Sequence, residues 1–295
     1  MHTQRLIFTD LDGSLINHHD YSHTYADPVL TELSILDIPV IPCTSKTFAE
    51  VRALTLPGLS TNPFIVENGA AIYIPVGYFA KQPQESIVQG SYWVYRTVAS
   101  RNHWLALLKQ TSLHFHDDEF THFKALGHIG IASLTALSVR AAVRANQREH
   151  SEPLQWRGSS QRKQAFIHYL HSKGGQVQQG GRFLTLSGAC SKGSALQWLL
   201  KQYVLNQPEK HFYTVACGDS DNDMAMLECA NQAVIIRAPH HSTPCLQRKS
   251  GVIHSHYFGD RGWAETVSQL LSQWYDCKQQ TTQPWVAKNQ SERLT

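Results

Sequence analysis

Between residues 5 and 80, and again from residue 191 onward, short apolar runs of strand length alternate with stretches whose apolar residues recur at helical spacing. Few folds accept such an alternation. Leu6-Ile7-Phe8, Ile38-Pro39-Val40-Ile41 and Phe64-Ile65-Val66 read as buried strands. Between them Asp27-Pro28 opens a helix, with Asp as N-cap and Pro in the first helical position, that continues through Val29, Leu30, Leu33 and Leu36. A second helix carries Phe48, Val51 and Leu54. After Ser191 the same style returns, with a helix through Leu196, Leu199, Leu200, Tyr203 and Val204 and a strand over Tyr213 to Cys217. A helix through Met224 and Leu227, a strand at Val234-Ile235-Ile236 and an amphipathic helix on Trp263, Val267, Leu270, Leu271 and Trp274 follow. Strand, helix, strand in this order predicts an α/β fold, a Rossmann-like doubly wound parallel sheet.

The stretch from about 85 to 187 has another character. Aromatic strand-like segments (Tyr92 to Val98, Leu154 to Trp156) mix with helical segments near 100–111, 133–146 and 160–171, and Gly180-Gly181 reads as a hairpin turn before Phe183 to Leu186. It is expected to be an inserted α+β domain. Residues 1–84 and 188–277 would then form the sheet domain, 85–187 the insertion, and 278–295 a polar tail.

Composition narrows the class. With 26 basic and 23 acidic residues, and the basic ones scattered, the chain lacks the clustered Lys and Arg that nucleic-acid binding needs. No stretch approaches the ~18 apolar residues of a membrane span. The 6 cysteines form no C-x-x-C pair and two lie in strand-like runs, so they are expected to be reduced thiols of a cytoplasmic protein. Neither G-x-G-x-x-G nor a P-loop occurs. The pairs His18-His19, His114-x-His116, His240-His241 and His254-x-His256 lack a third ligand at fitting spacing, which argues against zinc.

In a doubly wound sheet, ligands bind beyond the carboxyl ends of the strands. After the first strand stands Asp10-Leu11-Asp12-Gly13-Ser14, two carboxylates that repel unless a cation or a catalytic duty compensates; Mg²⁺, a hard cation that takes oxygen ligands, suits them, although an Asp/Gly turn is the plainer explanation of the motif alone. Thr44-Ser45-Lys46-Thr47 opens a helix, as an anion site or simply a cap. Gly218-Asp219-Ser220-Asp221-Asn222-Asp223 places three Asp in five residues, more than a helix cap requires. Ser191-Lys192-Gly193 sets a lysine at a helix N-terminus, against the dipole, which suits a bound anion. Arg140, Arg144 and Arg148 recur every four residues, as a solvated basic face or a substrate surface.

In the order Asp10/Asp12, Thr44, Lys192 and Asp219/Asn222/Asp223, these signals resemble the four motifs of the haloacid-dehalogenase-like phosphatase superfamily, and the insertion resembles its large α/β cap. Thr44-Ser45-Lys46-Thr47, Val66-Glu67-Asn68-Gly69-Ala70-Ala71-Ile72, Ser151-Glu152-Pro153-Leu154-Gln155-Trp156 and Gly218 to Leu227 resemble the mannosyl-3-phosphoglycerate phosphatases. Two departures stand out: Ser14 replaces the commoner Thr of the first motif, and the cap is rich in Gln and His.

The resemblance implies a Mg²⁺-dependent phosphomonoester hydrolase that takes a small phosphorylated sugar or glycerate. Asp10 would be the nucleophile that forms an aspartyl-phosphate, and Asp12 the acid and then the base. Asp10 and Asp219 would hold the metal through carboxylates, Asp12 through its backbone oxygen and Asp223 in support. Thr44 and Lys192 would hold the phosphoryl group, and Ser45, Lys46, Asn68, Glu152, Arg157 and Asn222 would touch substrate. The alternatives are a general sugar-phosphate phosphatase or phosphotransferase of the same superfamily, and a non-catalytic module that binds a phosphorylated ligand.

Overall fold

The computed structural model describes residues 3–17, 22–58, 61–116, 118–180 and 183–282, with side chains to residue 275. The core strands are β1 (Thr3–Thr9), β2 (Val40–Pro42), β3 (Phe64–Val66), β4 (Ala71–Pro75), β5 (Ile87–Gln89) and β6 (Tyr92–Arg96); the cap strands are β7 (Phe120–His122), β8 (Glu152–Trp156), β9 (Gln176–Gln179) and β10 (Leu184–Ser187). The chain returns to the core in β11 (His211–Gly218), β12 (Gln232–Arg237) and β13 (Val252–Phe258). Helices α1 (Ala26–Ile35), α2 (Phe48–Val51), α7 (Lys192–Asn206), α8 (Met224–Cys229) and α9 (Gly259–Thr282) belong with the core, and α3 (Arg101–Thr111), α4 (Phe123–Thr135), α5 (Val139–Ala145) and α6 (Ser160–Ser172) with the cap.

The main sheet runs in the order β13-β12-β11-β1-β2, every pairing parallel. Strand alternation then buries both faces. Ile7, Val215, Cys217 and Val234 point toward α1 and α9, joining Leu30, Leu33, Trp263 and Val267, whereas Leu6, Phe8, Ala216 and Ile235 face α7 and α8, joining Leu196, Leu199 and Leu227. This is the doubly wound arrangement that the alternating pattern implies. Fully burying one such Leu, Ile or Phe stabilises by about 1.5–3 kcal/mol, so the two layers fix where the strands end.

Local starts and stops differ in places from expectation. Helix α1 begins at Ala26, because Ala26 N–H and Asp27 N–H both donate to the His23 carbonyl; Asp27 therefore sits in the first turn, its carboxylate 2.6 Å from His23 Nδ1, rather than at the N-cap. The helix expected near 133–146 is two helices, α4 and α5, parted at Ala136 in the left-handed region (φ 61°), and α4 starts ten residues earlier than expected, at Phe123. Around Gly180 the expected hairpin forms, β9 pairing antiparallel with β10; Gly181 lies outside the described residues, as do His18-His19 and residues 283–295.

The antiparallel sheet β3-β4-β6-β5 extends the core, joined to β2 through a bridge between Cys43 and Ile65. Tyr92 and Val94 of β6 pack with Ile7 and Phe64, and Trp93 packs with Phe8. Packing thus argues for a division of the chain near residue 98, after this hairpin, instead of at residue 85. The cap is the sheet β7-β8-β10-β9 covered by α3 and α6 around Trp104, Phe166, Leu170 and Leu184. Among the described residues no helix is long and apolar enough to cross a membrane.

Candidate active site

The site forms where β1, β11 and β2 end together. Parallel register sets Thr9 beside Cys217 and Pro42, and Asp10 N–H donates to the Cys217 carbonyl at 2.8 Å, so Asp10, Asp219 and Thr44 emerge on one rim. Helix α7 brings Lys192 there as its first residue, with Ser191 as N-cap accepting from Ser194 N–H.

Lys192 Nζ lies 2.5 Å from Asp10 Oδ1 and 2.6 Å from Asp223 Oδ1, with the lysine wholly buried. Burial alone would discharge it, but the two carboxylates overcome that and hold its pKa above the ordinary value. Asp223 Oδ2 accepts from the backbone N–H of Asp219 and of Ser220, both at 3.1 Å, which folds the acidic loop back on itself. Among the described residues one group offers three clustered metal-ligating side chains: the carboxylates of Asp10, Asp219 and Asp223, with oxygens within 4.8 Å of one another.

Three buried carboxylates around one lysine leave negative charge in excess. Burial, and then Asp223, lifts the Asp219 pKa to about 6 against the pull of Lys192, and burial likewise raises that of Asp10, with Asp223, Asp219 and Asp12 adding to it. Gly13 is needed beside this cluster. Its φ is +84°, and a Cβ there would come within 2.6 Å of Asp219 Oδ2. Ser14 donates to Asp219 Oδ1 at 3.4 Å, so the departure from Thr keeps a hydroxyl at the site.

Asp12 stands apart from the three. Its Oδ2 pairs with Lys46 Nζ at 2.8 Å, and its Oδ1 is buried with no hydrogen-bond partner. Thr44 is buried and its Oγ1 accepts from Lys46 N–H at 3.1 Å, leaving the hydroxyl hydrogen to donate elsewhere. Asn222 Nδ2 donates to Asn68 Oδ1 at 3.2 Å, joining the acidic loop to the Glu67–Gly69 turn. Gly69 (φ +98°) lets the same turn press against the start of α7, since a Cβ would strike the Ser191 carbonyl at 2.2 Å.

Two expected substrate contacts lie elsewhere. Glu152 is fully buried in the cap: one oxygen pairs with Arg101 and the other accepts from Lys124 N–H at 2.7 Å and lies 3.0 Å from His122 Nδ1. Although burial opposes ionisation, His122 and Arg101 hold its carboxyl below the ordinary value. With both oxygens engaged inside the cap, Glu152 has none left for a substrate. Arg157 is exposed at the end of β8 on Gln155, its backbone N–H on the Glu119 carbonyl, all within the cap.

Other residues, some of them singled out in the sequence for different roles, join cap to core through pairings that the sequence does not announce. Buried Glu67 accepts from Glu149 N–H at 2.8 Å, His150 N–H at 3.2 Å and Ser151 Oγ at 2.5 Å. Arg148 lies beyond the end of α5 and so off any helical face; it donates to the Ser45 carbonyl and to Ser151 Oγ, each at 2.9 Å. Thr47 donates to the Arg144 carbonyl at 3.0 Å. His241, 43% exposed, places Nε2 3.2 Å from Asp219 Oδ2. One member of a histidine pair set aside as a zinc ligand thus supplies a contact to the acidic cluster, and no sequence spacing marks it.

A family model for sucrose-6F-phosphate phosphohydrolase matches residues 177–273, the segment that carries Lys192 and the acidic loop. A haloalkanoate-superfamily phosphatase from Bacteroides thetaiotaomicron matches in structure with a TM-score of 0.63 at 15% identity, covering 91% of this chain and 95% of that one. The sucrose-phosphatase of Synechocystis matches at 0.55 and 15%, covering 90% and 98%. These structural likenesses agree on the fold, a haloacid-dehalogenase-like core with a cap. At the level of sequence, a glucosyl-3-phosphoglycerate/mannosyl-3-phosphoglycerate phosphatase from Methanococcoides burtonii is 31% identical over 272 residues, 91% of this chain and 97% of that protein. The chain belongs to that family of haloacid-dehalogenase-like phosphatases and is a phosphoric monoester hydrolase.

Proposed function

We propose that the enzyme removes phosphate from a glycosyl-3-phosphoglycerate, mannosyl or glucosyl, through an aspartyl-phosphate on Asp10. The observation that carries the chemistry is Lys192 set between Asp10 and Asp223, with Asp219 beside them. The substrate class rests on the relative from Methanococcoides.

The acidic cluster fits a hard divalent cation. It offers carboxylate oxygens and no sulfur, which suits Mg²⁺. Asp10 and Asp219 would hold it, with the Asp12 backbone oxygen and Asp223 in support. When bound it supplies positive charge against a repulsion of about 4 kcal/mol per unit charge pair at 4 Å, for an effective dielectric of ~20.

The chain's own groups do the rest. The Asp10 carboxylate attacks phosphorus in line as the bond to the leaving oxygen breaks. Lys192 offsets the charge gathering on the phosphoryl oxygens, and the Thr44 hydroxyl donates to one of them. Asp12 gives its proton to the departing alkoxide and then takes one from the water that attacks the phosphorus of the intermediate, freeing Asp10. Lys46 engages one oxygen of Asp12, and the other is free for that transfer. Ser45, Lys46, Asn68 and Asn222 would touch the substrate from the core side, whereas Arg148 is already engaged by Glu67, the Ser45 carbonyl and Ser151 Oγ. We assign the enzyme to the cytoplasm, in keeping with free thiols at Cys43, Cys190, Cys217, Cys229 and Cys245.

A substrate panel tests this reading. Glycosyl-3-phosphoglycerates are expected to exceed sucrose 6-phosphate and simple hexose phosphates in kcat/KM by about a hundredfold or more, since a buried group that loses its partner discriminates strongly. A higher kcat/KM for sucrose 6-phosphate would overturn the substrate assignment while leaving the chemistry intact.

A further inference from the structure

Glu67, Asn68 and Gly69 follow one another in the left-handed region, with φ of 50°, 60° and 98°. A residue with a side chain rarely sits there, and two in a row persist only where the surroundings fix them. Here the surroundings are the catalytic stretches. Glu67 N–H donates to the Lys46 carbonyl at 3.0 Å and Asn68 N–H to the Thr44 carbonyl at 2.9 Å. Gly69 lies against the Ser191 backbone, one residue before Lys192, and Asn68 Oδ1 accepts from Asn222 in the acidic loop. One short turn thus touches the segments that carry Thr44, Lys192 and Asp219 to Asp223.

The same turn anchors the cap. The Glu67 carboxylate, 2% exposed, takes hydrogen bonds from Glu149 N–H, His150 N–H and Ser151 Oγ, and Arg148 lies 3.5 Å away. All four partners belong to the connection between α5 and β8, so an undocked cap would strip the carboxylate of them together. From Glu67 the contacts run on through Asn68 to Asn222. Asn222 in turn is held to Ser220, whose N–H, like that of Asp219, donates to Asp223 Oδ2.

We propose that Glu67 is a positioning residue for the metal site: the docked cap, acting through the Glu67–Gly69 turn, holds the acidic loop in its cation-binding arrangement, so docking and metal binding favour one another. This rests on the reading of Asp10 and Asp219 as the residues that hold Mg²⁺. Such coupling is reciprocal, and the factor by which docking tightens the metal is the factor by which the metal tightens docking. Glu67 acts through Asn68 and Asn222 rather than on the reacting atoms, so it governs metal affinity and leaves the chemical step alone.

Hydrogen exchange of the full-length enzyme reads docking directly, because the Glu149 and His150 amides exchange once they leave Glu67. Mg²⁺ is expected to slow both about tenfold, while the Lys124 amide, which donates to Glu152 inside the cap, changes by less than about twofold. In calorimetric titration Glu67→Gln should bind Mg²⁺ about tenfold more weakly than wild type. Saturating Mg²⁺ should then bring its kcat on p-nitrophenyl phosphate back to within about twofold of wild type, a rescue that a damaged fold would not allow. Ser151→Ala, which removes one donor and keeps the charge, should weaken Mg²⁺ binding about threefold and serves if Glu67→Gln folds poorly. A wild type that binds no Mg²⁺ would overturn the reading of the metal site and the coupling with it. Mg²⁺ binding that leaves the Glu149 and His150 amides unchanged, that slows Lys124 equally, or that is as tight in the folded variants as in wild type would overturn the coupling alone.

Discussion

Core and cap each bury carboxylates, and they treat them in opposite ways. In the cap, Glu152 meets Arg101, His122 and a backbone N–H, so its charge is answered on every side. In the core, Asp10, Asp219 and Asp223 share one lysine, and burial pushes Asp219 up to about 6. A matched buried carboxylate is a structural tie; an unmatched cluster costs stability unless a cation or ligand completes it. The contrast separates architecture from chemistry more sharply than burial or residue type does.

Substitution offers the strongest way to break that contrast. Asp10→Asn should lower kcat by about 10⁴-fold or more, because an amide cannot act as the nucleophile, while the melting temperature holds or rises as one crowded charge disappears. Glu152→Ala should do the reverse. Leaving Arg101 buried without its partner is expected to cost about 3–5 kcal/mol in urea unfolding, with kcat on p-nitrophenyl phosphate changed by no more than about twofold. If Glu152→Ala emptied the activity of a natively stable protein, the division between the two regions would fail.

A gentler probe is pH. The folded-state pKa of Asp219 is raised to about 6 from an ordinary 3.8, so the folded chain binds more protons than the unfolded one between those values. In EDTA its contribution should therefore destabilise progressively as pH rises from about 4 to 6, by roughly 3 kcal/mol in all, and added Mg²⁺ should restore what is lost. Glu152, held below its ordinary value, contributes with the opposite sign: its stabilisation is present above about pH 4.5 and is lost as pH falls through the lowered folded value. Urea midpoints of wild type and Glu152→Gln across pH 3 to 7 separate the two slopes.

Much of this was legible in the chain. The alternation of apolar runs gave the wound sheet because burial on both faces demands it, and unusual polar residues at three strand ends converged because parallel strands end on one rim. Asp10, Thr44, Asp219 and Asp223 needed no more than that, and Lys192 was marked by standing against the dipole at the start of a helix. Glu152 misled because a carboxylate in an aromatic strand looks like a site until Arg101, 51 residues earlier, is seen to neutralise it. The part that Glu67 and Arg148 play between cap and core escaped for a related reason: their partners lie 82 to 84 and 103 residues away, and the pairing arises only when the cap docks. The Tyr92-Trp93-Val94 run carried no mark of which domain would bury it.

The central claim is that the unmatched cluster exists to let Asp10 take up a phosphoryl group. Rapid acid quench of turnover with ³²P-labelled substrate, followed by peptide mapping, tests it directly. The account predicts hydroxylamine-labile label on the peptide containing Asp10 in the wild type and none in Asp10→Asn. Label on another residue, or steady turnover with no phosphate bound to protein at any time point, would contradict it.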